Sequence, residues 1–348
     1  MKNMLKQMNG PLLRTKVQPN PAQPASQDSP APVPRQKIEH KSSRLADATF
    51  RYLMLVCALS VLAIVVLIVR ELILSSALAR HTFGLKFFVT QVWDPVSGDF
   101  GALPFIYGTL VSSLLALIMA VPLSIGVATF TTEICPPRLR SMLSYVVELL
   151  ATIPSVIYGL WGMYVLVPIL RQYVQPFLAK YFGWTGLFSG YQFGYSMLAA
   201  GIILAIMIIP IITSITREVM SAVPTAQREG VLAIGATRWE MIRVGVLRNA
   251  RTGIMGAIIL GLGRALGETI AVTLLIGNRP EIAKSLFAPG YTLASVIANE
   301  FSEATGDLYL SALVEIGLAL FLITLLVNIV AQLMVWSITR GSTQRATA

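Results

Sequence analysis

The sequence contains few of the residues from which catalytic and metal sites are usually built. Among its 348 residues are only two cysteines and two histidines. Cys57 and Cys135 match no metal-ligand or disulfide spacing. His40 and His81 are equally isolated, so neither a zinc site nor a Ser/His/Asp arrangement is indicated. We therefore predict that the chain is not an enzyme and that it holds no metal.

Charged residues are also scarce. They make up 13% of the chain, against about a quarter of an average soluble domain, whereas hydrophobic residues make up 55%. This composition excludes an ordinary soluble protein and indicates one that crosses a membrane several times. The net charge of +10 does not indicate a nucleic-acid partner, because the Lys and Arg residues cluster in segments that flank apolar runs.

Six apolar runs are long enough to cross a bilayer. We therefore predict an all-α polytopic membrane protein with six transmembrane helices. No internal repeat of 20–50 residues is apparent, so the sequence does not support an inverted-repeat secondary transporter. The runs cover about residues 52–75, 105–130, 143–170, 195–215, 253–278 and 309–338.

Polar tails flank the predicted transmembrane domain, which covers residues 49–340. Residues 1–48 are basic, rich in proline and without apolar periodicity, so we predict a disordered cytoplasmic tail. Residues 341–348 form a second cytoplasmic tail. The segments predicted to lie inside carry nine, two, six and two Lys or Arg residues, whereas each outside loop carries two. The positive-inside rule therefore predicts that both termini are cytoplasmic.

The fifth run carries two charged residues near its middle, Arg264 and Glu268. A charge at that depth costs at least about 2.5–3.5 kcal/mol, so the bundle interior or a water-filled path must accommodate it. On a continuous helix the two residues would lie about 40° apart. We predict that they line a substrate path; the alternative is a buried salt bridge that fixes helix register. The small residues on the same side, which would let another helix approach closely, are Gly253, Ala257, Gly261 and Ala271.

The third run contains another ionisable residue, Glu148. Pro154 and Gly159 follow it and predict a kink with polar groups, including Ser155, facing inward. Two interpretations of Glu148 remain open from the sequence: structural pairing with a cation, and a role in gating.

The segment between the fourth and fifth runs, residues 217–251, is longer than a simple connection of about two to eight residues. The stretch EGVLAIGATRWEMIRVGVL within it predicts two short amphipathic helices that meet at Gly235. Thr237 would cap the second helix, with Glu240 in its first turn. We predict a docking element for a cytoplasmic partner; the alternative is an amphipathic helix that lies on lipid.

These stretches resemble one family of transport proteins. Glu229, Gly230, Val231 and Gly235 resemble the E-A-A-x-x-x-G coupling motif of binding-protein-dependent ABC importer permeases, although both alanines are replaced. GLGRALGETIAVTLLIGN in the fifth run, ELLATIPSVIYGLWG in the third and PLSIGVATFTTE in the second resemble the C-type permease subunits of phosphate-specific transport (Pst) systems. The resemblance covers about residues 50–340 and implies the type I ABC importer permease fold.

The resemblance also implies the molecular setting. Such a subunit is half of a pore in the bacterial inner membrane and pairs with a similar second permease. Two ATPase subunits bind the cytoplasmic loops and carry the ATP and Mg, so no cofactor is expected in this chain. A periplasmic phosphate-binding protein delivers inorganic phosphate.

The resemblance places Arg264, the arginine of its G-R-A-L-G-E-T motif, in phosphate translocation. The chemistry agrees, because a guanidinium group stays protonated and presents a planar fork to phosphate oxygens. Glu268 and Glu148 are the candidate carboxylates that would compete for Arg264 and help the anion leave. The predicted substrate path consists of Arg264, Glu268, Glu148, Ser155 and Thr269. The predicted ATPase-coupling residues are Glu229, Gly235, Thr237 and Arg238.

Two other functions remain open from the sequence. A permease for another oxyanion, such as sulfate or molybdate, would differ only in side-chain detail. An ion channel or secondary transporter that works without an ATPase would leave the arginine-rich loop around Gly235 without a role.

The predicted topology can be tested with single cysteines, one at Ser26 in the first tail and one at Ser97 in the loop after the first run. Cys57 and Cys135 are replaced beforehand. In intact cells an impermeant thiol reagent should label the cysteine at position 97 and spare the one at position 26. Equal external labelling of both positions would contradict the predicted orientation.

Overall fold

Helices make up most of the described part of the chain, residues 44–343, in a computed structural model that gives side chains for residues 47–337. The chain divides into two units, residues 1–60 and 61–348. The first unit is described only from residue 44, as the beginning of the first long helix. The tail predicted over residues 1–48 therefore lies largely outside the described residues, and so do residues 344–348.

The helices fall into long apolar elements and shorter connecting ones. The 3₁₀ segments are Gly84–Phe88 and Gly183–Thr185, and the π segments are Phe130–Ile134, Gly162–Leu166, Leu170–Val174 and Met241–Leu247. The only strands of the described chain form one hairpin, β1 (Trp93–Asp94) with β2 (Asp99–Phe100). The α-helices are α1 (Arg44–Ser75), α2 (Ala77–Phe83), α3 (Leu103–Thr129), α4 (Pro137–Thr152), α5 (Ser155–Trp161), α6 (Val167–Ile169), α7 (Gln175–Phe182), α8 (Met197–Ser221), α9 (Thr225–Ala233), α10 (Arg238–Glu240), α11 (Arg248–Leu266), α12 (Ile270–Ile276), α13 (Leu293–Glu300) and α14 (Asp307–Thr343).

Four of these helices, α1, α3, α8 and α14, are long and apolar enough to cross a membrane by themselves. Two further spans are bent pairs. Residues 137–152 and 155–185 meet at 93°, and residues 238–266 and 270–276 meet at 64°. With each pair counted as one span the described chain has six, and the predicted all-α polytopic fold is confirmed.

The third run is broken into two helices, whereas the sequence predicted a kink. The predicted single span over residues 143–170 is wrong in its continuity, because α4 ends at Thr152 and α5 begins at Ser155. Ile153 and Pro154 are extended between them, with ψ angles of 128° and 141°. A proline disfavours the helical conformation of the residue before it and has no backbone N–H to donate, which explains the break.

The fifth run is also broken, where we predicted one continuous helix. α11 ends at Leu266, and α12 begins at Ile270 after Gly267, Glu268 and Thr269. Glycine is a poor helix former, and the Thr269 hydroxyl donates a hydrogen bond to the Gly267 carbonyl oxygen (3.4 Å). The predicted angle of about 40° between Arg264 and Glu268 is therefore wrong, because Glu268 lies in the break.

The segment between α2 and α3 is ordered by a hairpin turn. Residues 95–98 connect β1, which ends at Asp94, to β2. The Asp94 carboxylate accepts a hydrogen bond from the Val96 backbone N–H (2.9 Å), which lowers the pKa of Asp94. Gly98 has a φ of +79°, a conformation that glycine adopts without steric cost. Trp93 is buried and donates its indole N–H to Glu300 (2.8 Å), which ties the hairpin to α13.

The closest backbone approach in the core lies between α3 and the segment before α13. A Cβ atom built on Gly108 would lie 2.0 Å from the Tyr291 carbonyl oxygen. The neighbouring Thr109 hydroxyl accepts a hydrogen bond from the Leu293 backbone N–H (2.9 Å), which holds α3 against this segment. Only glycine fits at position 108 without moving backbone.

We expect Gly108→Ala to destabilise the protein by about 1–3 kcal/mol, because the added methyl group would collide with a carbonyl that cannot rotate away. Gly126→Ala is the matched control. It lies in the same helix, and nothing is within 4 Å of a Cβ atom there. Thermal unfolding in detergent should show a lower midpoint for the first variant and an unchanged or raised midpoint for the second. Equal midpoints would contradict the close approach.

Candidate substrate path and docking loop

The two broken spans pack against each other beyond their breaks. A Cβ atom on Gly159 of α5 would lie 2.7 Å from Leu274 Cδ1 and 3.1 Å from Ala271 Cα in α12. One on Gly162 would lie 2.8 Å from Leu275 Cδ1. Gly159 lies against Ala271 and Leu274, and Gly162, later in the chain, lies against Leu275. The residue numbers increase together, so α5 and α12 run in the same direction. Small residues allow this separation, as in other closely packed membrane helices.

Parallel packing brings two predicted path residues to the same end of the helix pair. Ser155 is the first residue of α5, and Thr269 immediately precedes α12. Both residues are half-buried. The breaks in the third and fifth spans therefore lie in the same end region of the α5–α12 pair.

Arg264 lies on the last turn of α11, just before this region. Its side chain is exposed and makes no hydrogen bond or ion pair within residues 47–337. Glu268 is half-buried and forms no ion pair with Arg264 among the described residues. The alternative of a salt bridge between these two residues is not realised in this structure.

Glu148 has a different partner. Its carboxylate lies 2.8 Å from the Arg217 guanidinium, with 60% of the Glu148 side chain and 22% of the Arg217 side chain exposed. In this structure Glu148 is paired with Arg217 and forms no ion pair with Arg264 among the described residues. Sequence reasoning missed Arg217, because a contact between residues 69 positions apart leaves no local pattern.

The docking loop folds as two helices that meet at a left-handed glycine. α9 ends at Ala233, Gly235 has a φ of +86°, and α10 begins at Arg238. The Thr237 hydroxyl accepts the Glu240 backbone N–H (3.3 Å), and the Glu240 carboxylate accepts the Thr237 backbone N–H (2.8 Å). This reciprocal cap is the predicted capping box.

The two faces of the loop have different environments. Its inner face packs into a cluster formed by the ends of α3 and α8 and the start of α11, in which Val231, Ile242 and Val246 take part. Its outer face is apolar, with Ile234 85% exposed and Trp239 64% exposed. The predicted coupling residues on the exposed side are Glu229, Gly235, Thr237 and Arg238.

Sequence reasoning also missed Arg228, which is in the same loop. The Arg228 guanidinium lies 3.1 Å from the carboxylate of Glu133, which is in the π segment Phe130–Ile134 after α3. The sequence places these residues 95 positions apart, and only the fold joins them.

Known proteins that are similar to this chain are components of transport systems. The family described as binding-protein-dependent transport system inner membrane component matches residues 120–340. The phosphate transport system permease protein PstC of Mesorhizobium japonicum is 48% identical, over 84% of this chain and 91% of its own length. PstC of Pasteurella multocida is 43% identical, over 87% of this chain and 97% of its own length.

The fold is shared with a solved transporter. A chain of a bacterial alginate ABC transporter, crystallised with an alginate-bound periplasmic protein, superimposes with a TM-score of 0.56. It is 19% identical and covers 84% of this chain and 97% of its own, so the likeness shows the fold alone. These matches and the apolar helices show a multi-pass inner-membrane protein with the type I ABC importer permease fold. The chain belongs to the family of binding-protein-dependent transport system inner membrane components.

Proposed function

We propose that this chain is the transmembrane permease subunit of an ATP-driven importer of inorganic phosphate. The observation that carries the proposal is Arg264, an exposed guanidinium that makes no hydrogen bond or ion pair within residues 47–337 and lies just before the break of the fifth span. The relatives of known function that support the substrate are phosphate transport system permeases.

An intramembrane arginine that has no ion-pair partner among residues 47–337 needs one from elsewhere. A charge facing lipid at that depth is costly, so the surface that carries Arg264 is one that a second, similar permease covers. The path then lies between the two subunits, and each contributes half of its wall. Phosphate in this path meets a planar fork that can donate two hydrogen bonds to its oxygens.

Glu268 supports phosphate over other oxyanions. At neutral pH inorganic phosphate carries at least one hydroxyl group, which can donate a hydrogen bond to a carboxylate, whereas sulfate carries none. A carboxylate beside the binding arginine therefore accepts protonated phosphate and repels sulfate, which is discrimination by an unfavourable contact. Glu268 lies four residues from Arg264, in the break.

Glu268 is also the carboxylate available to compete with phosphate for Arg264. Glu148 is occupied by Arg217. A permanent, unopposed cation would hold the anion, so release needs a second acceptor for the guanidinium group. The irregular backbone at Gly267–Thr269 allows the Glu268 side chain to move relative to α11 without unwinding a helix.

The docking loop is the surface for the ATPase subunits. Its outer face combines exposed apolar residues with charged ones around them, which is the composition of a helix that binds in a groove of a partner. Two ATPase subunits would bind and hydrolyse ATP with Mg, so catalysis lies outside this chain. The loop and both termini face the cytoplasm, and a periplasmic phosphate-binding protein delivers the ion to the opposite side.

The docking role predicts a specific sensitivity at Gly235. Gly235→Val should reduce both phosphate uptake and the amount of co-purified ATPase, because a β-branched residue is strained at positive φ. Gly235→Asn is the control, since asparagine tolerates this conformation better, and it should retain more of both activities. Membrane insertion should persist in both variants. If Gly235→Val keeps normal uptake and normal assembly, the loop is not the docking element.

The role of Arg264 predicts transport loss without loss of assembly. Arg264→Lys keeps the charge but loses the fork, and Arg264→Gln loses both, so uptake should fall in both variants and further in the second. Each complex should assemble, because no carboxylate among residues 47–337 pairs with Arg264 and would be left buried. Uptake into reconstituted vesicles and the yield of intact complex are measured together.

Arg217→Gln is the matched control for Arg264, because it removes an arginine whose carboxylate partner lies largely exposed. Because 60% of the Glu148 side chain is exposed, Arg217→Gln does not leave a buried charge, so the complex should still assemble. Near wild-type phosphate uptake by Arg264→Gln together with Glu268→Gln would show that Arg264 does not bind the substrate.

A further inference from the structure

Arg228 is the most extensively bonded charged side chain of the docking loop. It lies in the first half of α9, with 18% of its side chain exposed. Its guanidinium group donates to the carbonyl oxygens of Met220 (2.8 Å) and Val223 (2.5 Å) and to the Glu133 carboxylate (3.1 Å). One side chain thus contacts three separate parts of the chain.

The groups that Arg228 binds belong to the cytoplasmic ends of two membrane helices. Met220 is in the last turn of α8, and Val223 follows that helix. Their carbonyl oxygens are at the negative end of the helix, where a cation is favourable. Glu133 is in the π segment Phe130–Ile134 that continues α3, and 6% of its side chain is exposed.

This arrangement ties the docking loop to both helices at once. α3 and α8 pack along each other and form the centre of the bundle, with Ala116, Ala120 and Leu204 in their shared core. A movement of α9 therefore pulls on both helix ends through one guanidinium group. Breaking a buried ion pair is costly because it leaves an uncompensated charge, so the contact resists separation.

We infer that the Arg228–Glu133 pair is a positioning contact that transmits movement of the docking loop to α3 and α8 during each transport cycle. The inference rests on the proposed transport function. Arg228 acts through the helices and does not touch the substrate path. Its side chain points inward, whereas the apolar residues of the outer face, Ile234 and Trp239, remain exposed for the ATPase. Docking and transmission are thus separate surfaces of one loop.

The test uses the whole complex, reconstituted in vesicles with its second permease, ATPase subunits and phosphate-binding protein. Glu133→Gln removes the charge at almost constant shape and leaves the two carbonyl bonds of Arg228 in place. Arg228→Gln removes all three bonds. Arg243→Gln is the matched control, because Arg243 lies in the same loop, is exposed, and makes no hydrogen bond or ion pair within residues 47–337.

We expect the Glu133→Gln complex to assemble and to hydrolyse ATP near the wild-type rate, while phosphate uptake per ATP falls about fivefold or more, a typical coupling between distant sites. Arg228→Gln should show the same fall in uptake per ATP with a lower yield of intact complex, because it leaves the Glu133 carboxylate buried without its cation. Glu133→Arg combined with Arg228→Glu should recover part of the loss. Arg243→Gln should resemble the wild type. Unchanged uptake per ATP would overturn the inference. So would loss of the ATPase subunits from both variants, because the pair would then serve docking.

A readout that does not depend on the transported ion separates this inference from the proposed function. Ser155 is replaced by cysteine in a background without Cys57 and Cys135, and its labelling rate is compared between nucleotide-free and ATP-trapped complexes. The rate should respond to ATP in the parent and not in the Glu133→Gln variant. A parent that responds to ATP, together with a complex that keeps Ser155 and accumulates no phosphate, would contradict the proposed function alone. An equal response in parent and variant would contradict the inference alone.

Discussion

The bilayer offers no hydrogen-bond partner to an open backbone group, and this constraint governs the architecture. The chain breaks two of its spans near residues 153 and 267. Irregular backbone at such depth is tolerated only where protein or a water-filled path covers it. The chain meets this requirement by packing the two broken spans together, with Gly159 and Gly162 close to α12. The breaks and the charged residues beside them thus become one region.

The buried fraction differs sharply among the long helices and shows which of them are covered by the rest of the described chain. The most apolar window of α8 is 67% buried, whereas the corresponding windows of α3 and α14 are 28% buried. α8 is therefore the central helix, and it contacts both α3 and α11. The side that carries Arg264 is not covered by the described chain. An uncovered side of this kind is consistent with a subunit whose substrate path is completed by a second permease.

The loop between α8 and α11 follows another rule, because a folded loop outside the membrane spans must supply its own stability. The Thr237–Glu240 capping box and the left-handed Gly235 define the shape of the loop locally. The Arg228–Glu133 pair and the apolar inner face then attach that shape to the helix ends. The loop can be rigid and still present an apolar outer surface, since its inner face is held by different residues.

Local chemistry was sufficient for much of this protein. Apolar length predicted six spans. A glycine followed by a helix-capping residue predicted the turn at Gly235. Both features depend on residues a few positions apart. The kink after Glu148 was predicted from Pro154, although its size of 93° was not. The tertiary structure decided the break at Gly267, the pairing of Glu148 with Arg217 and that of Arg228 with Glu133. Those outcomes depend on which helices meet, and no short-range pattern records a contact between residues 69 or 95 positions apart.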